Sequence, residues 1–421
     1  MNPEHIRVLL DADAMRQLLG AIPLLADGDA RLTAMSLDRL WVKPGRHFHA
    51  SYRVALATAA GPCETHACAG LQPSRRELSP LRETRAPGPA SWDLERATVH
   101  VESPPVRLAL FPWDARLPTL PLALDPERVA AALGGVRLRS CTVAGYWPGI
   151  RCQLRYEQGE TAGGETAGTI YGKVFPEGAG QAIALAQAAV TRHATETPFA
   201  IPRLRAYLPR LNLLLTEPVE GEPLLDLLPA ATPALMERVA SALAAFHALP
   251  TADVERRFGP GDDLAVVRPW VDLIGALFPA LVSPLAAALA AVERHVPPEA
   301  TAPPALVHRD FYDKQVLVGA SRVGLLDLDT VCQGDGEIDV GNFSAHLVLR
   351  ALQTGAGAET AGPLAEALVA AYRAARPGAD PRRIAWYRSA ALLRLACVYA
   401  LRPWWHALAP VLLDESRRTL D

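Results

Sequence analysis

Several large classes of protein are excluded by what this sequence lacks. Its six cysteines, at positions 63, 68, 141, 152, 332 and 397 of 421, are scattered and form no CxxC pair, which fits a reducing compartment. Basic charge is not in excess: 42 Lys and Arg face 45 Asp and Glu, a formal net charge of −3. A surface that neutralises a phosphate backbone needs the opposite balance, so no nucleic-acid partner is expected. The most apolar stretch, Gly275 to Val292, is broken by Pro279 and Pro284 and runs into Glu293-Arg294, which falls short of a spanning helix. The opening MNPEHIRVLL lacks the basic segment and apolar run of a secretory signal. These absences point to a cytoplasmic chain without a membrane partner; they leave the oligomeric state open.

What is present is enough apolar material for more than one core. Half the residues are hydrophobic, and single domains commonly run about 100 to 200 residues. Up to about residue 125 short apolar runs mix with Pro, Gly and Arg, including the loop Arg75 to Ser91, which predicts a small, loop-rich α+β unit. Three strand-like runs follow, Leu138 to Ala144, Cys152 to Tyr156 and Thr169 to Phe175. Trp147-Pro148-Gly149 and a Gly/Thr/Glu-rich stretch, 157 to 168, separate them, as in a hairpin with a third strand. From Thr232 the period turns helical: Thr232 can cap, Pro233 suits the first turn, and Leu235, Val239, Leu243 and Phe246 recur near helical spacing. The remainder is mostly Ala/Leu-rich helix. The expected architecture is mixed α/β (α+β): an extra N-terminal unit over 1–125, a β-rich lobe over 126–216 and a helical lobe over 217–421, with a connector at about 213 to 222.

One internal echo stands out. The segments WVKPGRHFHASY (from Trp41) and YWPGIRCQLRY (from Tyr146) both set Pro-Gly between strand-like runs and place a Tyr seven residues after the Gly. A decayed duplication of the β lobe and a coincidental turn both account for it.

The chemistry gathers near position 310. Val307 to Val318 reads VHRDFYDKQVLV, and after Gly319-Ala320-Ser321-Arg322 the chain continues VGLLDLDTVCQGDGEIDVGNF. Two short apolar runs about a four-residue turn make a hairpin, and its open end sets Asp310 and Gln315 opposite Asp327. Phosphoryl transfer needs a carboxylate to accept the proton of the attacking hydroxyl and oxygen ligands for magnesium. Asp310 answers the first need, Gln315 and Asp327 the second.

The run HRDFYDKQ resembles the HxDxxxxN catalytic loop of aminoglycoside phosphotransferases, choline kinases and protein kinases, and LLDLD resembles the strand carrying their metal-binding aspartate. Gly334-Asp335 and Asp339 follow at the spacing of the aminoglycoside-phosphotransferase pattern ID…GDxxxD. The resemblance spans about 138–421 and implies a bilobal protein kinase-like fold, with ATP and Mg2+ as cofactors and a small-molecule hydroxyl acceptor. It departs from the family at Gln315, where Asn is usual though maltokinases also carry Gln, and at Arg309, where Gly is frequent and a loop salt bridge is the expected role. Lys173 in IYGKVF resembles the kinase lysine at the α/β-phosphates; the next helix, Gln181 to His193, offers no acid to pair with it, only Gln187. Pro148-Gly149 is the only turn between the first two strands, without a GxGxxG. LLLTEPVEGEPL resembles the kinase hinge, with the backbone of Glu217 and Val219 offered to adenine. LAAFHAL resembles the family's LAxLH helix, and His247 there is expected to be structural, favoured by the helix dipole.

Nine arginines against four acids in 370–421 argue for a neutral or anionic acceptor, with Trp386, Tyr387, Trp404 and Trp405 as stacking candidates or as packing residues. The competing reading is a nucleotide-binding pseudokinase with a regulatory or scaffold role, suggested by Gln315 and the missing glutamate. A protein kinase fits worse, since Asp327 is followed by Leu-Asp rather than Phe-Gly.

Overall fold

The computed structural model describes residues 2–71, 92–134, 136–159, 168–298 and 303–420. The loop expected at 75–91 and most of the Gly/Thr/Glu-rich stretch lie outside the described residues. The chain forms two compact units, Met1–Ala184 with Leu204–Pro218, and Leu185–Arg203 with Val219–Asp421.

Two antiparallel five-stranded sheets build the first unit. In one, β1 (Ala30–Lys43), β2 (His47–Thr58) and β3 (Gly61–Leu71) run consecutively, and β4 (Thr98–Val101) and β5 (Val106–Leu110) complete the order β1-β2-β3-β5-β4. The strand-like runs about Pro44-Gly45 are β1 and β2, but strands of 14, 12 and 11 residues leave the unit far less loop-rich than expected. The reason is local. β2 is buried continuously from Phe48 to Tyr52, so it shows no alternation there, and β3 (GPCETHACAGL) has little of the β-branched and aromatic content that marks a strand.

In the other sheet, β6 (Leu138–Trp147), β7 (Arg151–Gln158) and β8 (Thr169–Val174) coincide with the three expected runs, and Leu213–Thr216 and Leu204–Leu208 extend the sheet beyond β8. Its core joins Tyr146, Leu154, Tyr156, Ile170 and Leu215 to Leu117, Leu120, Ala123 and Val129. Residues on both sides of position 125 therefore share one interior.

The echo in the sequence has a structural counterpart. Each Pro-Gly turn closes a hairpin with two register shifts, β1–β2 and β6–β7. Tyr52 donates its hydroxyl to the Leu9 carbonyl, and Tyr156 to that of Ala123 at 2.6 Å. Both carbonyls lie two residues before an aspartate, Asp11 or Asp125, whose side chain caps the helix that follows it.

The second unit is mainly helical. Thr232 caps Pro233–His247 through the Leu235 amide, as its sequence predicts. The apolar stretch at 275–292 is divided between Pro260–Leu277 and Val282–Arg294, and among the described residues no helix is long and apolar enough to cross a membrane. Two small sheets lie among the helices. One pairs Val316–Val318 with Val323–Leu325; the other pairs Ala305–Val307 with Cys332–Gly334.

Candidate active site

The expected hairpin forms. Val316 pairs with Leu325 and Val318 with Val323, with Gly319 to Arg322 between them. Its open end brings the side chains of Gln315 and Asp327 together, Gln315 Nε2 donating to Asp327 Oδ2 at 3.3 Å. Both are buried. Asp310, half-buried, belongs to the same neighbourhood: the Tyr312 hydroxyl is raised above its ordinary pKa by burial first, then by the negative charges of Asp310 and Asp327. Asp327 has a left-handed backbone, φ +62°, a region in which Asp and Asn are enriched among non-glycine residues.

The loop from His308 to Gln315 is held residue by residue from one helix, Glu337–Gln353. Asp339 accepts the His308 amide at 2.7 Å on Oδ2 and the Arg309 amide at 2.6 Å on Oδ1. Asn342 donates to the Phe311 carbonyl at 2.9 Å. His346 stacks on Tyr312 with centroids 4.3 Å apart. Arg350 pairs with Asp313 at 2.9 Å. Positions 339, 342, 346 and 350 recur at helical spacing, so they form one stripe, and it follows the loop in order. Asp313 is almost wholly buried; burial pushes its carboxyl pKa up while Arg350 opposes the shift. A polar stripe on an otherwise buried helix was the available signal for Asn342, His346 and Arg350, which the motif reading did not use.

Two expectations are sharpened or corrected. His247 is structural, as expected, and its partners are specific: its Nε2 donates to Asp339 Oδ2 at 2.9 Å and its Nδ1 lies 2.7 Å from the Tyr372 hydroxyl, so it orients the carboxylate that braces the loop. Arg309, in place of a loop salt bridge, lays its guanidinium over the Phe258 ring, 3.9 Å from the centroid. Its φ of +69° gives the physical reason for glycine at this position in the family, since a left-handed L-residue costs roughly 1–2 kcal/mol. His308 donates Nε2–H to the Leu326 carbonyl at 2.6 Å, which ties the loop to the strand before Asp327.

Two of the nine C-terminal arginines are engaged inside the helical unit. Arg383 pairs with Asp335 at 3.2 Å and donates to the Pro298 carbonyl, and Arg394 donates to Asn342. Trp386 and Tyr387 are packing residues, each 1% exposed, with their polar atoms on the Val292 carbonyl and Asp335. In the other unit Lys173 is half-buried on β8, in register with Gln153 of β7. The connector crosses from one unit to the other between Pro218 and Val219; Glu217 and Val219 are half-buried. Gln187 donates its amide to the Pro202 carbonyl at 2.7 Å.

The sequence model of the phosphotransferase enzyme family matches residues 160–387, more than half of the chain. The chain belongs to that family. Among solved structures, a thermostable mutant of aminoglycoside phosphotransferase APH(4)-Ia is 14% identical with a TM-score of 0.50, over 70% of this chain and 98% of that one. The macrolide 2'-phosphotransferase MphH from Brachybacterium faecium is 19% identical, TM-score 0.44, over 71% and 98%. A choline/ethanolamine kinase family protein from Mesorhizobium loti is 14% identical, TM-score 0.46, over 70% and 94%. At these identities the likeness to APH(4)-Ia speaks for the fold: this phosphotransferase-family chain has the protein kinase-like architecture expected of it. No curated protein matches the sequence.

Proposed function

We propose that this family member transfers the γ-phosphate of Mg-ATP to a hydroxyl of a small molecule such as a sugar, amino sugar or amino alcohol. The observation that carries the reading is the braced loop. Asp339 fixes the successive amides of His308 and Arg309, and Asp310 follows directly, its carboxylate and that of Asp327 both bearing on the Tyr312 hydroxyl. Phosphoryl transfer asks the protein chiefly for position and charge. In this assignment Asp310 orients the acceptor hydroxyl and takes its proton.

Gln315 and Asp327 suit magnesium. They offer a carboxylate and an amide oxygen, hard ligands of the kind it prefers, and an ion that retains water and phosphate oxygens needs few from the protein. Bound there, it would neutralise charge on the phosphates. Gln315 is one methylene longer than the family's Asn and reaches Asp327 from its own position, so the substitution does not disqualify the pair. Lys173 is assigned to the α/β-phosphates, the β6–β7 turn at Pro148-Gly149 to the region over the phosphates, and the backbone of Glu217 and Val219 to the adenine edge.

The test combines binding and turnover. Mg-ATP affinity is measured by calorimetry and phosphate transfer is followed across a panel of sugars and amino alcohols, for the wild type, Asp310→Asn and Asp327→Ala. Asp310→Asn should lose about 10³-fold or more in kcat with Mg-ATP affinity nearly intact, and Asp327→Ala should lose magnesium-dependent binding. Wild-type turnover in Asp310→Asn removes it from the base role. Tight nucleotide binding with no transfer to any acceptor would instead favour a pseudokinase.

A further inference from the structure

The turn that closes β6 and β7 is held from outside its own sheet. Asp114, in the segment after β5, accepts the Gly149 amide at 2.6 Å and the Tyr146 hydroxyl at 2.8 Å on Oδ2, and the Arg116 amide at 2.9 Å on Oδ1. The Tyr146 hydroxyl also meets Cys68 Sγ of β3 at 3.0 Å. Gly149 has φ +69°, and a Cβ there would come within 2.9 Å of the His49 ring of β2. The guanidinium groups of Arg39, on β1, and Arg151 each lie over the Trp147 ring, 4.7 Å from its centroid. All three long strands of the first sheet, together with the segment after β5, thus bear on the four residues Tyr146–Gly149.

Hairpin turns at a sheet end are ordinarily among the more mobile parts of a fold. A carboxylate accepting a backbone N–H makes one of the stronger hydrogen bonds available, and here it acts on the one glycine whose backbone geometry defines the turn. We infer that Asp114 is a positioning residue for nucleotide phosphates: the first sheet sets the course of the Pro148-Gly149 turn and thereby the affinity for the phosphate part of the nucleotide. The inference rests on the assignment of that turn to the phosphates. A merely structural Asp114 would stabilise the sheet without favouring one part of the ligand over another, and this separates the two roles.

The experiment uses the full-length chain and two probes, Mg-ADP and adenosine, which lacks phosphates. Dissociation constants are measured by calorimetry for the wild type, Asp114→Ala, Asp114→Asn and Tyr146→Phe. Asp114→Ala should weaken Mg-ADP roughly five- to twentyfold and leave adenosine within about twofold. Asp114→Asn and Tyr146→Phe, which remove fewer of the bonds, should shift Mg-ADP less and in the same direction. Equal weakening of both probes, or unchanged Mg-ADP affinity beside a lowered Tm, overturns the inference. If Asp114→Ala does not fold, Tyr146→Phe decides by the same ratio, since it keeps the ring and loses one bond to the carboxylate. A wild type that binds no Mg-ADP overturns the nucleotide assignment and this inference with it; a wild type that binds while every variant matches it overturns this inference alone.

Discussion

Counted from their turn glycines, β2 and β7 run in step: His49 stands where Gln153 does, and Tyr52 where Tyr156 does. The partners on the third strands differ. Gln153 lies opposite Lys173, whereas His49 lies opposite Gly70, and a Cβ on Gly70 would come within 2.8 Å of His49 Nδ1. One sheet carries a cation where the other carries no side chain and covers the place with an imidazole. Burial depresses the pKa of that imidazole to about 4, so it supplies no charge near neutrality. Similar strands, similar bulges and the same tyrosine bond are what a duplicated sheet would leave. Among the differences between them is the position assigned above to the nucleotide phosphates, Lys173 in one sheet and Gly70 in the other.

The comparison is broken most severely by cutting it apart. A chain starting at residue 126 removes Leu117, Leu120 and Ala123, all fully buried against the second sheet, and deletes the acceptor of the Tyr156 bond. Loss of a single buried leucine side chain commonly costs 2–5 kcal/mol. The truncated chain should therefore bind an apolar-surface dye and melt about 10 °C or more below the full chain, or fail to melt cooperatively. An unchanged Tm by calorimetry would show the second sheet to be self-sufficient.

Next comes the cation. Lys173→Ala should lower transfer efficiency by about 10²- to 10³-fold, the usual scale for removing one stabilising donor, and calorimetry of the wild type should return one Mg-ADP per chain. Gly70→Lys should not add a second, because the His49 ring occupies the space. Two nucleotides bound per chain, in either protein, would contradict the division of roles.

The smallest effect is a pH dependence seated in the first sheet. With its folded pKa near 4 against an ordinary 6.5, His49 holds fewer protons folded than unfolded between those values. Its contribution is therefore complete above about pH 6.5 and declines as pH falls towards 4. Burial is the main cause; Asp114 opposes the shift, and Arg116 and His47 add to it. His49→Gln, which installs the second sheet's residue, should flatten this decline by roughly 1–3 kcal/mol. Urea unfolding at pH 7.5 and 4.5 measures it, and parallel declines in the two proteins would place the acid sensitivity elsewhere.

The legible parts of the sequence were those in which local pattern and final environment agree. Thr232-Pro233 capped the helix they announce, the 316–325 hairpin closed in the expected register, and Gln315 met Asp327 because a hairpin leaves little choice about what faces what at its open end. The strand-like runs about Pro44-Gly45 marked the first hairpin, but the full length of β2 and β3 was harder to read, since consecutive buried residues remove the alternation that betrays a strand. In the site, motif spacing singled out Asp339 without disclosing its work. A backbone amide has no signature in the side-chain alphabet, so the bonds to His308 and Arg309 could not be foreseen, nor could the orienting role of His247. The arginine count carried no direction, so it could not tell that Arg383 and Arg394 are bound within the helical unit.

The brace on the 308–315 loop has a bearing on how such a chain can change over generations. Asp339 grips main-chain N–H groups, which every residue but proline possesses, and is indifferent to the side chain above them. Mutation can therefore exchange glycine for arginine at 309, at the strain of its left-handed backbone, and alter what the loop offers a ligand while the two amides stay where they were. Proline at 308 or 309 is the change this arrangement cannot absorb, so the loop's heritable latitude is wide in chemistry and narrow in backbone.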